Sequence, residues 1–121
     1  MKNQENNPSL NLSFEFALSI ISYTEKLEML KKYNLANQLF RSGTSIGANI
    51  REAQSAESKQ DFIHKMKVAA KEAEETEYWL LLCKQSDSYP FEETLLDKIN
   101  QINKLLTSII YSAKKNSIQK E

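Results

Sequence analysis

One helical stripe in the second half of the chain constrains the fold more than any other feature. Between Phe62 and Cys83, apolar or small side chains recur at intervals that alternate without a break between four and three residues. This spacing brings a side chain back to the same face of an α-helix, and such a face is buried against other helices. The stripe, which predicts one long helix (helix 3), consists of Phe62, Met66, Ala69, Ala73, Thr76, Leu80 and Cys83.

Three further segments show the same periodicity. Helix 1 is predicted over about residues 12–32, helix 2 over about 35–55, and helix 4 from Pro90 onward. The core positions of helix 1 are Phe16, Ile20, Tyr23, Leu27 and Leu30. Those of helix 2 are Leu39, Ser42 or Gly43, Ile46, Ile50 and Ala53. Those of helix 4 are Leu95, Ile99, Ile102, Leu106, Ile109 and Ala113. The chain has only two glycines and two prolines, which favours long helices. Four helices with short breaks predict an all-α, antiparallel up-down four-helix bundle.

Local signals mark the starts of three predicted helices. Asn34 is a plausible N-cap for helix 2. Ser58 and Asp61 have the three-residue spacing of a capping box at the start of helix 3. Pro90 fits the first turn of helix 4, where its missing N–H is not needed.

Polar segments flank the predicted bundle. Residues 1–11 are predicted to form a flexible arm and residues 116–121 a flexible tail, which leaves the bundle at residues 12–115. The start of the chain lacks the apolar stretch of a secretory signal, and the run "YWLLLC" is far shorter than the roughly 20 residues of a membrane helix. A single cysteine, Cys83, suits a reducing compartment. We therefore expect a soluble, cytoplasmic protein.

Both glycines lie in the stretch "RSGTSIGAN" of helix 2. The helical spacing continues through this stretch, so it is predicted to be mid-helix, and its glycine spacing fits neither a P-loop nor a dinucleotide fingerprint. Each glycine costs a helix about 1 kcal/mol relative to alanine, which close helix packing could offset. We expect Gly43 and Gly47 to pack closely against small residues of helix 3, namely Ala69, Ala70 and Ala73.

A polar strip follows the same helix at intervals of three and four residues. Its members are Gln38, Ser42, Ser45, Asn49 and Glu52. Where such side chains are buried they need hydrogen-bond partners, so the strip is a candidate for a specific network or a subunit contact.

The residues that most enzymes require are sparse in this chain. His64 is the only histidine, whereas a bundle di-iron site uses two Glu-x-x-His motifs. His64 and Cys83 are separated by about 28 Å of helical rise, so they cannot form a catalytic dyad within one chain. We predict no catalytic residue, no metal and no cofactor. The alternative is a metal-binding or catalytic bundle that uses the acidic residues of helices 2 and 3.

The charges balance over the whole chain, with sixteen basic and sixteen acidic residues. Nucleic-acid binding would therefore depend on a local patch. The candidates are Arg41, Arg51, Lys59, Lys65, Lys67 and Lys71, and a solvated face with helical ion pairs is the alternative interpretation of the same residues.

Apolar residues also lie outside the predicted core face. Helix 3 is apolar around its whole circumference in its second half, which predicts burial on all sides and a subunit interface. The interface candidates are Val68, Tyr78, Trp79 and Leu82, unless a bulky corner of the bundle covers them. Helix 1 carries a second apolar strip, with Phe14, Ala17, Leu18 and Ile21, which suggests that it contacts more than one neighbour.

The segment "QLFRSGTSIGANIREAQSAESKQDFIHKMKVAAKEAEETEYWLLL" resembles the signature of small bacterial four-helix-bundle proteins encoded in intervening sequences of 23S ribosomal RNA genes. "FEFALSII" is similar to the opening segment of that family. The residues that match the family pattern are Arg41, Ser42, Ser45, Asn49, Glu52, Ala69, Glu72, Glu75 and Tyr78.

The resemblance implies structural or interfacial roles for these residues and supplies no catalytic residue. It also implies a homo-oligomer, typically a pentameric barrel. A relative, the accessory protein of diversity-generating retroelements, binds nucleic acid and a reverse transcriptase through a basic barrel, whereas this chain is neutral. We therefore expect a non-enzymatic, homo-oligomeric scaffold or adaptor in a ribosomal-RNA or reverse-transcriptase context.

Overall fold

The chain folds into four helices, as predicted from its periodicity. The computed structural model describes residues 6–120, with side chains described to residue 116. The helices are α1 (Pro8–Met29), α2 (Tyr33–Ala53), α3 (Lys59–Gln85) and α4 (Glu93–Lys120). Consecutive helices are antiparallel and pack against each other, and α4 closes the bundle against α1. The all-α four-helix bundle is thus confirmed.

Helix α1 begins four residues earlier than predicted. The Asn7 side chain accepts a hydrogen bond from the Leu10 N–H (3.2 Å), and Pro8 occupies the first turn. This pairing is a strong start signal, because Asn satisfies a free N–H and Pro has none to satisfy. Residues 8–11 of the predicted arm therefore belong to the helix, and Leu10 is buried. Residues 1–5 lie outside the described residues.

The turn between α1 and α2 differs from the prediction. Lys31 adopts a left-handed conformation with φ of 62°. The N–H of Lys31 donates to the Glu28 carbonyl (2.9 Å) and that of Lys32 to the Leu27 carbonyl (2.8 Å), which is a Schellman ending. Helix α2 starts immediately afterwards with Lys32 as its N-cap, so the prediction that Asn34 caps this helix was wrong.

The start of α3 matches the prediction, and the start of α4 does not. Ser58 Oγ accepts from the Asp61 N–H (3.0 Å), and Asp61 accepts in turn from the Glu57 N–H. That backbone bond and the nearby Lys65 ammonium lower the pKa of Asp61. Pro90 precedes α4 rather than entering its first turn, and its carbonyl accepts a hydrogen bond from the Tyr23 hydroxyl (2.6 Å).

The C-terminal helix extends into the predicted tail. Helix α4 continues to Lys120, so residues 116–120 are helical, and Glu121 lies outside the described residues. Nothing in the sequence between residues 113 and 120 breaks a helix, since the segment lacks both glycine and proline.

The predicted core faces meet along the bundle axis. All of the predicted positions of α2 and α3 are buried except Phe62, which is half-buried. Leu30 is exposed because α1 ends before it, and Ile109 is half-buried. Burial raises the pKa of Tyr23 and that of the neighbouring Cys83 thiol, so both groups are neutral core residues. No helix in the described part of the chain is long and apolar enough to cross a membrane.

The two glycines pack against α1, and not against α3 as predicted. A Cβ at Gly43 would lie 3.0 Å from both Cγ atoms of Ile20, and one at Gly47 would lie 3.2 Å from Ser13 Oγ. Successive residues on a helix differ by about 100° in direction, so Ser42 faces α3 while Gly43 faces α1. Close packing at the glycines therefore joins α1 to α2. Of the α3 alanines that were predicted to contact the glycines, Ala69 and Ala73 are buried and Ala70 is half-buried.

The contact between Gly43 and Ile20 predicts a destabilising effect of a single methyl group. We expect Gly43→Ala to lower the free energy of unfolding by about 1–2 kcal/mol, because overpacking against Ile20 outweighs the gain in helix propensity. Urea denaturation measures this change. In an Ile20→Ala background the same substitution should become stabilising by about 1 kcal/mol, since the cavity then accepts the methyl group. Equal effects in both backgrounds would contradict the proposed contact.

The left-handed turn predicts a stabilising substitution. Lys31→Gly should raise the free energy of unfolding by about 1 kcal/mol, because glycine adopts positive φ without a steric penalty. Lys31→Ala is the matched control, since alanine keeps the penalty and should leave the stability nearly unchanged. Chemical denaturation of the three proteins side by side tests the turn, and a stabilisation by alanine equal to that by glycine would contradict it.

Candidate interaction surfaces

A polar network joins the outer edges of α2 and α3. The Arg41 guanidinium forms salt bridges with Glu75 and with Glu72 (3.7 Å). It also donates to Gln38 Oε1 (3.3 Å), while the Trp79 indole N–H donates to Glu75 (3.2 Å). Arg41, a candidate for nucleic-acid binding, thus pairs with two carboxylates of its own chain, and its side chain stays 55% exposed.

Beneath this network, a pair of hydroxyl groups fixes the register of α2 on α3. Ser42 and Thr76 are both fully buried, and their Oγ atoms share a hydrogen bond of 2.8 Å. The Thr76 hydroxyl also lies 2.7 Å from the Glu72 carbonyl oxygen. Each hydroxyl is thereby satisfied in the core, where an unpaired polar group is unfavourable.

The rest of the predicted polar strip bonds along α2 itself. Ser45 Oγ donates to the Arg41 carbonyl (2.6 Å), and Asn49 Nδ2 donates to the Ser45 carbonyl (2.9 Å). Glu52, the last member of the strip, is exposed. The strip is therefore divided: its Arg41 end binds α3, and its far end lies at the surface.

The acidic residues of the alternative metal-binding hypothesis are not gathered into a ligand set. Glu72 and Glu75 bind Arg41, and the described residues contain no group of three or more His, Cys, Asp or Glu side chains that could hold a metal ion. His64 is exposed near the start of α3, whereas Cys83 is buried near its end.

The six basic candidates do not form one surface. Lys65 binds Asp61 (3.1 Å), Lys59 is exposed at the start of α3, and Arg51 borders α1. Lys67 and Lys71 remain together on the exposed side of α3. These two lysines are four residues apart and are therefore neighbours on the surface of α3.

A third lysine joins that pair from α4. The Lys114 ammonium contacts that of Lys67, and this contact lowers the pKa of Lys67. We call Lys67, Lys71 and Lys114 the lysine cluster. Among the described residues, none of these three lysines forms a salt bridge with a carboxylate. Sequence reasoning missed Lys114 because it lies 47 residues from Lys67, although the antiparallel pairing of α3 and α4 was the signal that could have found it.

Large apolar side chains are exposed on α3, where a subunit interface was predicted. Tyr78 is 56% exposed, and Leu81 and Leu82 are exposed beside it. We call these three residues the α3 face. Trp79 is half-buried, with its ring 5.3 Å from that of Tyr78, and Val68 is half-buried nearer the start of the helix. Of the predicted interface residues, Tyr78 and Leu82 near the end of α3 are therefore the exposed ones.

A second apolar surface lies along the groove between α1 and α2. Phe14 is 60% exposed, Leu18 54% and Phe40 49%. We call these three residues the groove face. Two depressions open beside them: one of about 430 Å³ next to Gly47, and one of about 290 Å³ next to Ala36. The sequence indicated the α1 half of this surface through its second apolar strip, but not the part that α2 supplies.

Comparisons with known proteins agree with the fold. The model of the 23S rRNA-intervening sequence protein family matches residues 5–108. A crystal structure of a protein of unknown function from the S23 ribosomal protein family of Bacteroides thetaiotaomicron is 46% identical, with a TM-score of 0.80. The match covers 84% of this chain and 97% of that protein. No curated protein matches the sequence significantly. The family match spans most of the chain, so this protein belongs to the 23S rRNA-intervening sequence protein family.

Proposed function

We propose that the protein is a non-enzymatic scaffold that works as a homo-oligomer. The observation that supports this is the exposure of two separate apolar surfaces, the groove face and the α3 face. Exposed apolar patches on soluble proteins mark interaction sites when they are large. Their aromatic members, Phe14, Phe40 and Tyr78, belong to the residue types that are enriched at protein interfaces.

Burial of these surfaces contributes favourable free energy to association. Fully burying one Leu or Phe side chain contributes about 1.5–3 kcal/mol, so three half-exposed side chains on one face contribute several kcal/mol together. Association also costs free energy, because each copy loses translational and rotational freedom. Both faces of an interface must therefore contribute to the free energy of burial. An oligomer larger than a dimer needs two contact surfaces on each copy, and two are present.

The family resemblance makes a pentamer the expected size. In such a ring each copy contacts two neighbours. Acidic side chains that serve catalysis in other bundles have a structural role here, since Glu72 and Glu75 bind Arg41. A scaffold of this kind acts by presenting repeated copies of one surface to a partner, which multiplies weak contacts.

Self-association predicts a mass well above that of one chain. Light scattering should give five times the 14.0 kDa chain mass for the wild-type protein at micromolar concentration. Leu18→Glu should give a mass near that of one chain, because it places a charge in the groove face. Ser108→Glu is the control at an exposed site of α4, outside both apolar surfaces, and should keep the wild-type mass.

Two results would count against the oligomer. A wild-type mass of one chain would refute it directly. An equal loss of mass in Leu18→Glu and Ser108→Glu would show that added charge, and not the groove face, controls association.

We propose polyanion binding, with RNA as the expected ligand, as a second function. The lysine cluster supports it, since Lys67 and Lys114 bring two ammonium groups together where a phosphate would relieve their repulsion. Tyr111 is exposed on the same helix as Lys114 and offers a ring for base stacking. Because the chain is neutral overall, an oligomer that repeats the cluster is needed for appreciable affinity.

RNA binding predicts a salt-dependent affinity that depends on the lysine cluster. A fluorescently labelled ribosomal-RNA hairpin should bind the wild-type protein, and the logarithm of its affinity should fall linearly with the logarithm of salt concentration. Lys67→Glu with Lys71→Glu should weaken binding and reduce the salt slope by about 2 for each copy in contact with the RNA. Lys31→Glu with Lys104→Glu, at two exposed lysines outside the cluster, is the control of equal charge change. An equal loss in both double variants would refute the cluster as the site.

A further inference from the structure

We infer that the α3 face of one copy inserts Tyr78 and Leu82 into the groove between α1 and α2 of a second copy. This inference rests on the proposed self-association and specifies which surfaces meet. It makes the interface heterologous, because each copy offers one convex and one concave surface.

The two surfaces have complementary shapes. Tyr78 and Leu82 are four residues apart on α3, so their side chains project next to each other from one side of the helix. The depression of about 290 Å³ beside Ala36 has an apolar wall formed by Ile21 and Phe40. The rest of its lining is Ala36 and four polar side chains, namely Thr24, Glu25, Glu28 and Asn37. A depression with an apolar wall accepts projecting apolar side chains, whereas two convex faces would meet only at their tips.

The two surfaces also lie at the same height along the bundle. The hydrogen bond between Ser42 and Thr76 sets the register of α2 and α3. Two residues further along each antiparallel helix, Phe40 and Tyr78 are therefore level. By the same register Leu82 is level with Ala36, which lines the depression. In a closed ring whose axis is parallel to the helices, residues of equal height meet, and these two surfaces satisfy that condition.

The polar groups at the rim are complementary as well. Glu25 and Glu28 line the depression, and neither forms a salt bridge within the part of the chain that the structure describes. The Tyr78 hydroxyl, at the end of an otherwise apolar ring, is a donor that a carboxylate accepts. Gln85, exposed one turn beyond Leu81, adds an amide donor on the same side of α3.

Mixing two assembly-defective variants tests the pairing. Phe40→Glu removes the groove of one chain and keeps its α3 face, and Tyr78→Glu does the reverse. Alone, each variant should have the mass of one chain by light scattering. Mixed in equal amounts, they should form a one-to-one dimer of twice the chain mass, because one functional groove meets one functional α3 face.

The other outcomes separate the inference from the proposed oligomer. If like faces pair with like, each variant will dimerise alone through its remaining face and mixing will change nothing, which would overturn the inference and leave the oligomer standing. If the wild-type protein is itself a monomer, the proposed oligomer is refuted, and the inference that rests on it fails as well.

Disulfide trapping provides a second measurement if the mixed dimer is weak. A chain that carries both Leu82→Cys and Asn37→Cys should form a ladder of linked copies on oxidation, since the two positions lie on opposite sides of the proposed contact. Each single variant should remain unlinked, as should the wild-type protein, whose Cys83 is buried. Cross-linking of Leu82→Cys alone would show that α3 faces pair with each other and would overturn the inference.

Discussion

The absence of a side chain at Gly43 is the constraint on which this bundle depends most. Ile20 occupies the space that a Cβ would need, so α1 and α2 approach closely enough to share a core. The opposite side of α2 is fixed by the Ser42–Thr76 hydrogen bond and by Arg41 on its two glutamates. Because α2 is held on both sides, it sets the heights of α1 and α3, and with them the positions of both exposed apolar surfaces.

The helices could be predicted from sequence, since a four-three spacing of apolar residues has one physical interpretation. The partner of the glycines could not. Gly43 lies next to Ser42 in the sequence, and periodicity alone does not say which of the two faces α1 and which faces α3. The ends of α1 show a related difficulty. Asn7 and Pro8 are a helix start signal, but from the sequence both residues were assigned to the flexible arm. At the other end, Lys31 adopts a left-handed conformation that is usually found for glycine.

The candidate surfaces were predictable to a different degree. The periodicity of α3 indicated that Tyr78 and Leu82 lie outside the core, and both are exposed. The charges were harder, because an ion pair between helices depends on register. Arg41 and Glu75 are 34 residues apart, and only the folded bundle brings them together. The same reason hid the contact between Lys67 and Lys114 and the groove that α1 forms with α2.

The central claim is that both apolar surfaces are covered by other copies of the chain. Hydroxyl-radical footprinting of the wild-type protein at several concentrations tests this claim. Labelling of Phe14, Phe40 and Tyr78 should fall as the concentration rises through the association range, while Tyr111 and Met29, which are exposed outside both surfaces, should be labelled equally throughout. Labelling of all five side chains that is independent of concentration, in a range where the mass of the particle increases, would contradict the account.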